Sequence, residues 1–155
     1  MTDILLSTLN ARYSHASLGL RYLRANLGDL RDRSAILEFV IGQKTEDIVE
    51  KILIHRPRIL GLGVYIWNVA QTTEVLRLLK AARPDVQVVL GGPEVSHETA
   101  QQEVVRLADH VITGWGDVSF AKLCRALLDG APPLMKVMAG EQPALAQIEL
   151  PYGEY

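Results

Sequence analysis

Val88-Val89-Leu90-Gly91-Gly92-Pro93-Glu94-Val95-Ser96 is an apolar run that breaks into a glycine turn. His110-Val111-Ile112-Thr113-Gly114-Trp115-Gly116-Asp117 repeats the arrangement further on. Glycine has no Cβ, so it adopts positive φ and lets a bulky group come close to the backbone. Two such turns, at the ends of strands sharing one edge of a parallel sheet, point to a large flat ligand lying across that edge.

Outward from these turns, apolar runs alternate with helical periods. Toward the N-terminus, Ile59 to Val64 is an apolar run suited to a strand covered on both faces. Val69 to Ala82 is helical by period and closes before Pro84. Ile4 to Leu9 and Ala35 to Ile41 read as strands. Leu20, Leu23 and Leu27 recur at helical spacing, with Gly28 where a C-terminal cap belongs. Thr45 is a good N-cap for a helix buried along Ile48, Val49, Ile52 and Leu53, and Pro57 ends it. Ser96 is placed to cap the helix carrying Val104, Val105 and Leu107. Toward the C-terminus, Phe120, Leu123, Cys124 and Leu127 stripe a last helix that Gly130 ends, and Leu134 to Met138 is a candidate edge strand.

This βα alternation predicts a doubly wound, Rossmann-like (flavodoxin-like) α/β fold with helices on both faces. The expected sheet is parallel and five-stranded, in the order 2-1-3-4-5, with its switch point between the first and third strands. Residues 1–140 form the domain and 141–155 read as a linker, with Pro143 and Pro151 in it.

Composition narrows the function. At 155 residues the chain is long enough for a full core without disulfides or metal. Hydrophobic residues make up 48% and charged residues 22%, an ordinary globular balance. A net charge of −2 argues against nucleic-acid binding. No apolar stretch reaches the length of a membrane span and no basic apolar leader is visible, so a soluble, cytoplasmic protein is expected. Cys124 is the only cysteine, which excludes an internal disulfide or a cysteine-rich cluster within this chain and fits a reducing compartment.

Ligands in such a sheet bind outside the carboxyl ends of the strands. Four loops meet there: the segment Asn10-Ala11-Arg12-Tyr13-Ser14-His15-Ala16-Ser17, the turn Val64-Tyr65-Ile66-Trp67-Asn68, and the two glycine turns. The edge gathers Tyr13, Tyr65, Trp67 and Trp115, amide and hydroxyl groups, and bare backbone. His15 is a candidate metal ligand; the alternative is that it caps the following helix or bonds a carbonyl. His55, His97 and His110 read as surface or structural. Trp67 and Trp115 are either ligand-facing or apolar fillers under the loops. Glu94 and Asp117 have no partner at an acid–base spacing and read as complements of helix N-termini. There is no Gly-x-x-x-x-Gly-Lys phosphate loop, no Gly-x-Gly-x-x-Gly after the first strand and no Gly-x-Ser-x-Gly elbow. A phospho-receiver needs acidic residues where this chain has Ser7, Asn10 and Gly63.

Taken together, Leu9-Asn10-Ala11-Arg12-Tyr13-Ser14-His15, Gly61-Leu62-Gly63-Val64-Tyr65-Ile66-Trp67-Asn68, Leu90 to Ser96 and Ile112 to Asp117 carry a family likeness. From Ile4 to about Leu128 the chain resembles the N-terminal cobalamin-binding domain of cobalamin-dependent radical S-adenosylmethionine enzymes. The resemblance implies a corrin over the strand ends and a nucleotide tail threaded beside the sheet. Gly91 and Gly92 would clear space for that tail, with Gly63 and Tyr65 lining its slot and Trp67 and Asn68 facing the corrin. Asn10, Tyr13, His15, Glu94, Gly114, Trp115 and Gly116 complete the implied cofactor site. In broader cobalamin domains the histidine of Asp-x-His-x-x-Gly is the lower cobalt ligand. Here the loop reads Tyr13-Ser14-His15-Ala16-Ser17-Leu18-Gly19, without the Asp and with its glycine one place late, so the resemblance leaves two alternatives: His15 as the lower ligand, or no protein lower ligand, as in many members of the radical family.

The resemblance also implies a C-terminal radical domain on the same polypeptide. That domain would hold a [4Fe–4S] cluster and S-adenosylmethionine, and its Cys-x-x-x-Cys-x-x-Cys motif does not fit a chain with one cysteine. The expectation is a corrinoid-binding fragment, inactive alone, of an enzyme of methyl transfer or radical rearrangement, with no nucleic-acid or membrane partner. The alternatives are a cofactor-free interaction domain of the same fold and a flavodoxin-like nucleotide-binding enzyme, although the first loop lacks the hydroxyl-rich run that wraps a flavin phosphate.

Overall fold

The structure, a computed structural model, describes residues 2–12, 17–96, 102–114, 116–140, 150–151 and 154. In chain order the strands are β1 (Ile4–Asn10), β2 (Ser34–Val40), β3 (Ile59–Gly63), β4 (Gln87–Gly91), β5 (His110–Thr113) and β6 (Val137–Ala139). The helices are α1 (Leu18–Ala25), α2 (Thr45–Ile54), α3 (Val69–Ala82), α4 (Glu103–Leu107) and α5 (Asp117–Leu128). Short 3-10 turns cover Gly28–Arg33 and Pro93–Ser96.

All strand pairs are parallel and the order is β2-β1-β3-β4-β5-β6. The doubly wound arrangement and the β1/β3 switch point are as expected, but the sheet has six strands rather than five. The sixth arises because β5 leaves an open edge. Val137–Ala139 fills it, pairing Val111 with Val137 through Thr113 with Ala139. An unpaired strand edge is a row of unsatisfied amides and carbonyls, which even a three-residue strand satisfies.

Side-chain alternation along the strands divides the core in two. Leu60, Leu62, Val88, Leu90 and Val111 pack with Ile48, Ile52, Val75, Leu76 and Val104 beneath α2, α3 and α4. Leu6, Val89 and Ile112 pack with Leu20, Phe120, Leu123 and Cys124 beneath α1 and α5.

Three expected caps fall elsewhere. Lys44, not Thr45, is the N-cap of α2 and makes no side-chain cap bond; Thr45 is already helical. Helix α1 ends at Ala25, with Asn26 as its cap, so Gly28, at φ 62°, opens the following 3-10 turn instead. Ser96 closes its own 3-10 turn, and Gln102 precedes α4. His55 is the C-cap of α2 and His110 is buried at the start of β5; His97 lies outside the described residues. Among the described residues no helix is long and apolar enough to cross a membrane.

Candidate functional site

The carboxyl ends of β3 and β4 shed their side chains on the α1/α5 face. Parallel register sets Thr8, Gly63 and Gly91 abreast across β1, β3 and β4. Two glycines side by side in the middle of a sheet leave a gap that no main-chain element fills. The result is a cavity of about 950 Å3. Leu20, Tyr22 and Leu23 of α1 form one wall, Asp117 and Phe120 of α5 the other, and Leu150 reaches its rim. Its depth is set at Gly61, where an added Cβ would lie 3.0 Å from both Leu6 and Phe120 side chains. At Gly91, by contrast, an added Cβ would meet only the Ile112 carbonyl oxygen, at 4.0 Å.

Gly92 does different work. Its φ is 110°, and a Cβ there would sit 2.4 Å from the Val64 carbonyl oxygen. The missing side chain lets the turn after β3 pack directly on the turn after β4. That contact is locked by Val64 N–H donating to Gly91 O at 2.8 Å.

Asn68 is buried and turned inward, away from the cavity. Its carboxamide donates to Thr8 Oγ1 (3.2 Å), Leu9 O (3.0 Å) and Gly63 O (3.3 Å), and its Oδ1 accepts from Tyr65 N–H at 2.9 Å. Thr8 Oγ1 donates to Gly63 O at 2.7 Å. This network welds the ends of β1 and β3 and fixes the Tyr65 turn. Tyr65 and Trp67 stack with ring centroids 4.6 Å apart and planes 2° from parallel, while Trp67 Nε1 donates to Leu9 O at 3.1 Å.

At the start of α1, Glu38 of β2 accepts from Asn10 Nδ2 (3.2 Å), Ser17 N–H (2.6 Å) and both terminal nitrogens of Arg21 (3.1 and 2.9 Å). Burial alone would raise its carboxyl. The Arg21, Ser17 and Asn10 hydrogen bonds outweigh that and hold it below the ordinary value. Asp117 is the reverse case: burial pushes its carboxyl up, and the only offset is its own backbone N–H.

Of the residues expected at the site, the cavity brings together Gly63, Tyr65, Gly91, Gly92, Gly114 and Gly116. Asn10, Trp67 and Asn68 stand at the β1 and β3 ends outside its lining, and Glu94 borders a separate hollow of about 380 Å3 with Thr73 and Glu103. Tyr13, His15 and Trp115 lie outside the described residues. Among the described residues no group of three or more His, Cys, Asp or Glu is placed to hold a metal ion. The sequence reading missed the α1 wall and Phe120, which carry the period of core-facing helix residues and look like ordinary core. It noted Asp117 only as a helix-end charge.

Comparison with known proteins follows the same lines. The B12 binding domain family matches residues 5–124. A cobalamin-dependent radical SAM methyltransferase, TokK of Streptomyces tokunonensis, is 34% identical over 80 residues, covering 51% of this chain and 12% of that protein. The structure of TsrM from Kitasatospora setae, a radical S-adenosylmethionine methyltransferase with cobalamin and a [4Fe-4S] cluster bound, superposes with a TM-score of 0.68 at 19% identity, covering 86% of this chain and 26% of that one. A cobalamin-binding protein from Desulfitobacterium hafniense gives a TM-score of 0.59 at 23% identity, over 81% and 58% of the two chains. At these identities the two structures speak for the fold, and this chain spans only a small part of either methyltransferase. With the family match running over most of its length, the chain belongs to the B12-binding domain family.

Proposed function

We propose that this chain binds cobalamin, seating the nucleotide tail in the slot between α1 and α5 and the corrin across the carboxyl ends of the strands. The observation that carries this reading is the Gly63–Gly91 pair, abreast on neighbouring strands and floored on a cavity of about 950 Å3. At Gly91 an added Cβ would begin to fill that cradle, at Gly63 it would press on Thr8 and Tyr65 at 3.3 Å, and the cradle's volume lies in the range of small-molecule sites. The walls suit an aromatic base: Leu20, Leu23 and Phe120 are apolar, and bare backbone allows close approach. The stacked Tyr65 and Trp67 extend a flat aromatic surface at the rim toward the corrin. Asn68 acts beneath them by holding the turn in place. Bound cobalamin supplies cobalt as a carrier of an alkyl group.

We further infer that the chain is the cobalamin-binding domain, residues 1–140, of a longer cytoplasmic enzyme. In that enzyme residues 141–155 lead to a radical S-adenosylmethionine domain that transfers a methyl group or performs a radical rearrangement. The gene beyond Tyr155 tests this: a Cys-x-x-x-Cys-x-x-Cys motif supports it, and a stop codon removes it. In this reading His15 is the candidate lower cobalt ligand and Tyr13 a further cofactor contact.

Hydroxocobalamin titrated into the purified chain, followed by desalting, tests the binding. Corrin absorbance is expected to stay with the wild type. It is expected to be lost from Gly91→Val, whose side chain enters the slot. Full retention by Gly91→Val would refute the slot, and no retention by the wild type at micromolar protein would refute the cofactor.

A further inference from the structure

The slot is lined almost wholly by apolar side chains and glycine backbone, with one carboxylate among them. Asp117 is the first residue of α5, lines the slot, and is 8% exposed. Among the described residues it forms no ion pair, and its hydrogen bond comes from its own backbone N–H. A buried carboxylate has acceptor capacity for about four hydrogen bonds, and leaving it unmet is costly. Glu38, on the same side of the sheet, shows the contrast: its two oxygens accept from Asn10, Ser17 and Arg21. Asp117 is instead held at the wall of a cavity.

We propose that Asp117 is the acceptor through which the slot recognises the nucleotide tail, taking hydrogen bonds from the hydroxyl groups of its ribose. This rests on the corrinoid reading above. The tail offers three chemistries to a carboxylate. Its phosphodiester is anionic and is repelled. Its base, an alkylated benzimidazole, has no N–H to donate. Its ribose carries hydroxyl donors, which a carboxylate accepts strongly. Asp117 then sets a preference for complete corrinoids over those lacking the nucleotide.

The test compares hydroxocobalamin with cobinamide, the corrinoid without the nucleotide tail, on wild type, Asp117→Ala and Asp117→Asn. Affinity is read by absorbance titration and folding by circular dichroism. Wild type is expected to bind cobalamin more tightly than cobinamide. Asp117→Ala is expected to lose about tenfold or more in cobalamin affinity, the scale of one hydrogen bond to a charged group. Its cobinamide affinity should be unchanged, which also shows that the variant folds. Asp117→Asn keeps an acceptor oxygen and should fall between the two. Equal losses on both corrinoids, or none on cobalamin, would overturn the proposal while leaving the corrinoid reading standing. Failure of the wild type to bind either corrinoid would overturn both.

Discussion

Leu90 and Gly91 are neighbours on β4, yet they stand on opposite faces of the sheet. Leu90 is fully buried among the residues beneath α2, α3 and α4. Gly91 opens onto the slot beneath α1 and α5. A related contrast runs through β3, where Leu60 and Leu62 fill one face, while on the other Gly61 and Gly63 carry no side chain and let Leu6, Phe120, Thr8 and Tyr65 close in on the backbone. One face spends its strand residues on a closed core, the other on a cavity. A parallel sheet buried on both sides normally reads as an unbroken apolar run. In β3 and β4 glycine interrupts that run on only one of the two faces, at the middle and carboxyl end of β3 and the carboxyl end of β4.

The sharpest way to test this division is to truncate the packed face. Leu90→Ala should cost about 2–5 kcal/mol, because the close-packed surroundings leave a cavity that cannot collapse. Urea unfolding measures it. A loss below about 1 kcal/mol would mean that this face is as loosely filled as the slot. Next comes the seam where the two faces meet. Asn68→Ala removes the amide that ties Thr8, Leu9, Gly63 and Tyr65 together and strands their buried partners, at about 1–3 kcal/mol. Its cobalamin affinity should fall as well, since the Tyr65 turn loses its anchor. Unchanged stability in the same unfolding experiment would show that water replaces the amide and that the weld is dispensable. On the open face, Gly91→Val should shift stability by no more than about 1 kcal/mol, the span of strand preferences, while corrinoid retention disappears. A loss as large as that of Leu90→Ala would show that the slot is closed in solution and erase the difference between the faces.

Much of this was legible in the sequence, and the illegible part has physical causes. Strand and helix order followed from apolar runs and helical periods, because burial on both faces of a parallel sheet leaves that pattern in the chain. The rim glycines could be picked out because strand interiors seldom tolerate them. The sixth strand is legible only as a candidate edge at Leu134 to Met138, left out of the five-strand count and placed slightly early: Val137–Ala139 carries little pattern of its own, and its pairing comes from the open edge of β5. Asn68 was expected to face the ligand. A sequence gives its place at the end of β3 but not the direction of its amide, which the unsatisfied groups of β1 and β3 decide. Leu20, Leu23 and Phe120 looked like core because a slot wall and a core contact have the same helical spacing.

The smallest expected effect concerns where the open face closes again. Cys124 lies one turn beyond Phe120 on α5, fully buried, with its thiol pushed up to about 12 by burial. At pH 8 a thiol with that value is ionised in only about one molecule in ten thousand, and the thiolate is the reactive form. Iodoacetamide at pH 8 should therefore leave the native protein unlabelled for hours and label it once urea unfolds it, as read by mass spectrometry. The sign with pH is fixed: native labelling, if any, should rise toward pH 12, since burial disfavours the charged form. Rapid labelling of the native chain at pH 8 would mean that the slot runs past Phe120 toward the middle of α5. The α1/α5 face would then be open along its length rather than only at the carboxyl ends of the strands, and the depth now set by Gly61 and Phe120 would not hold.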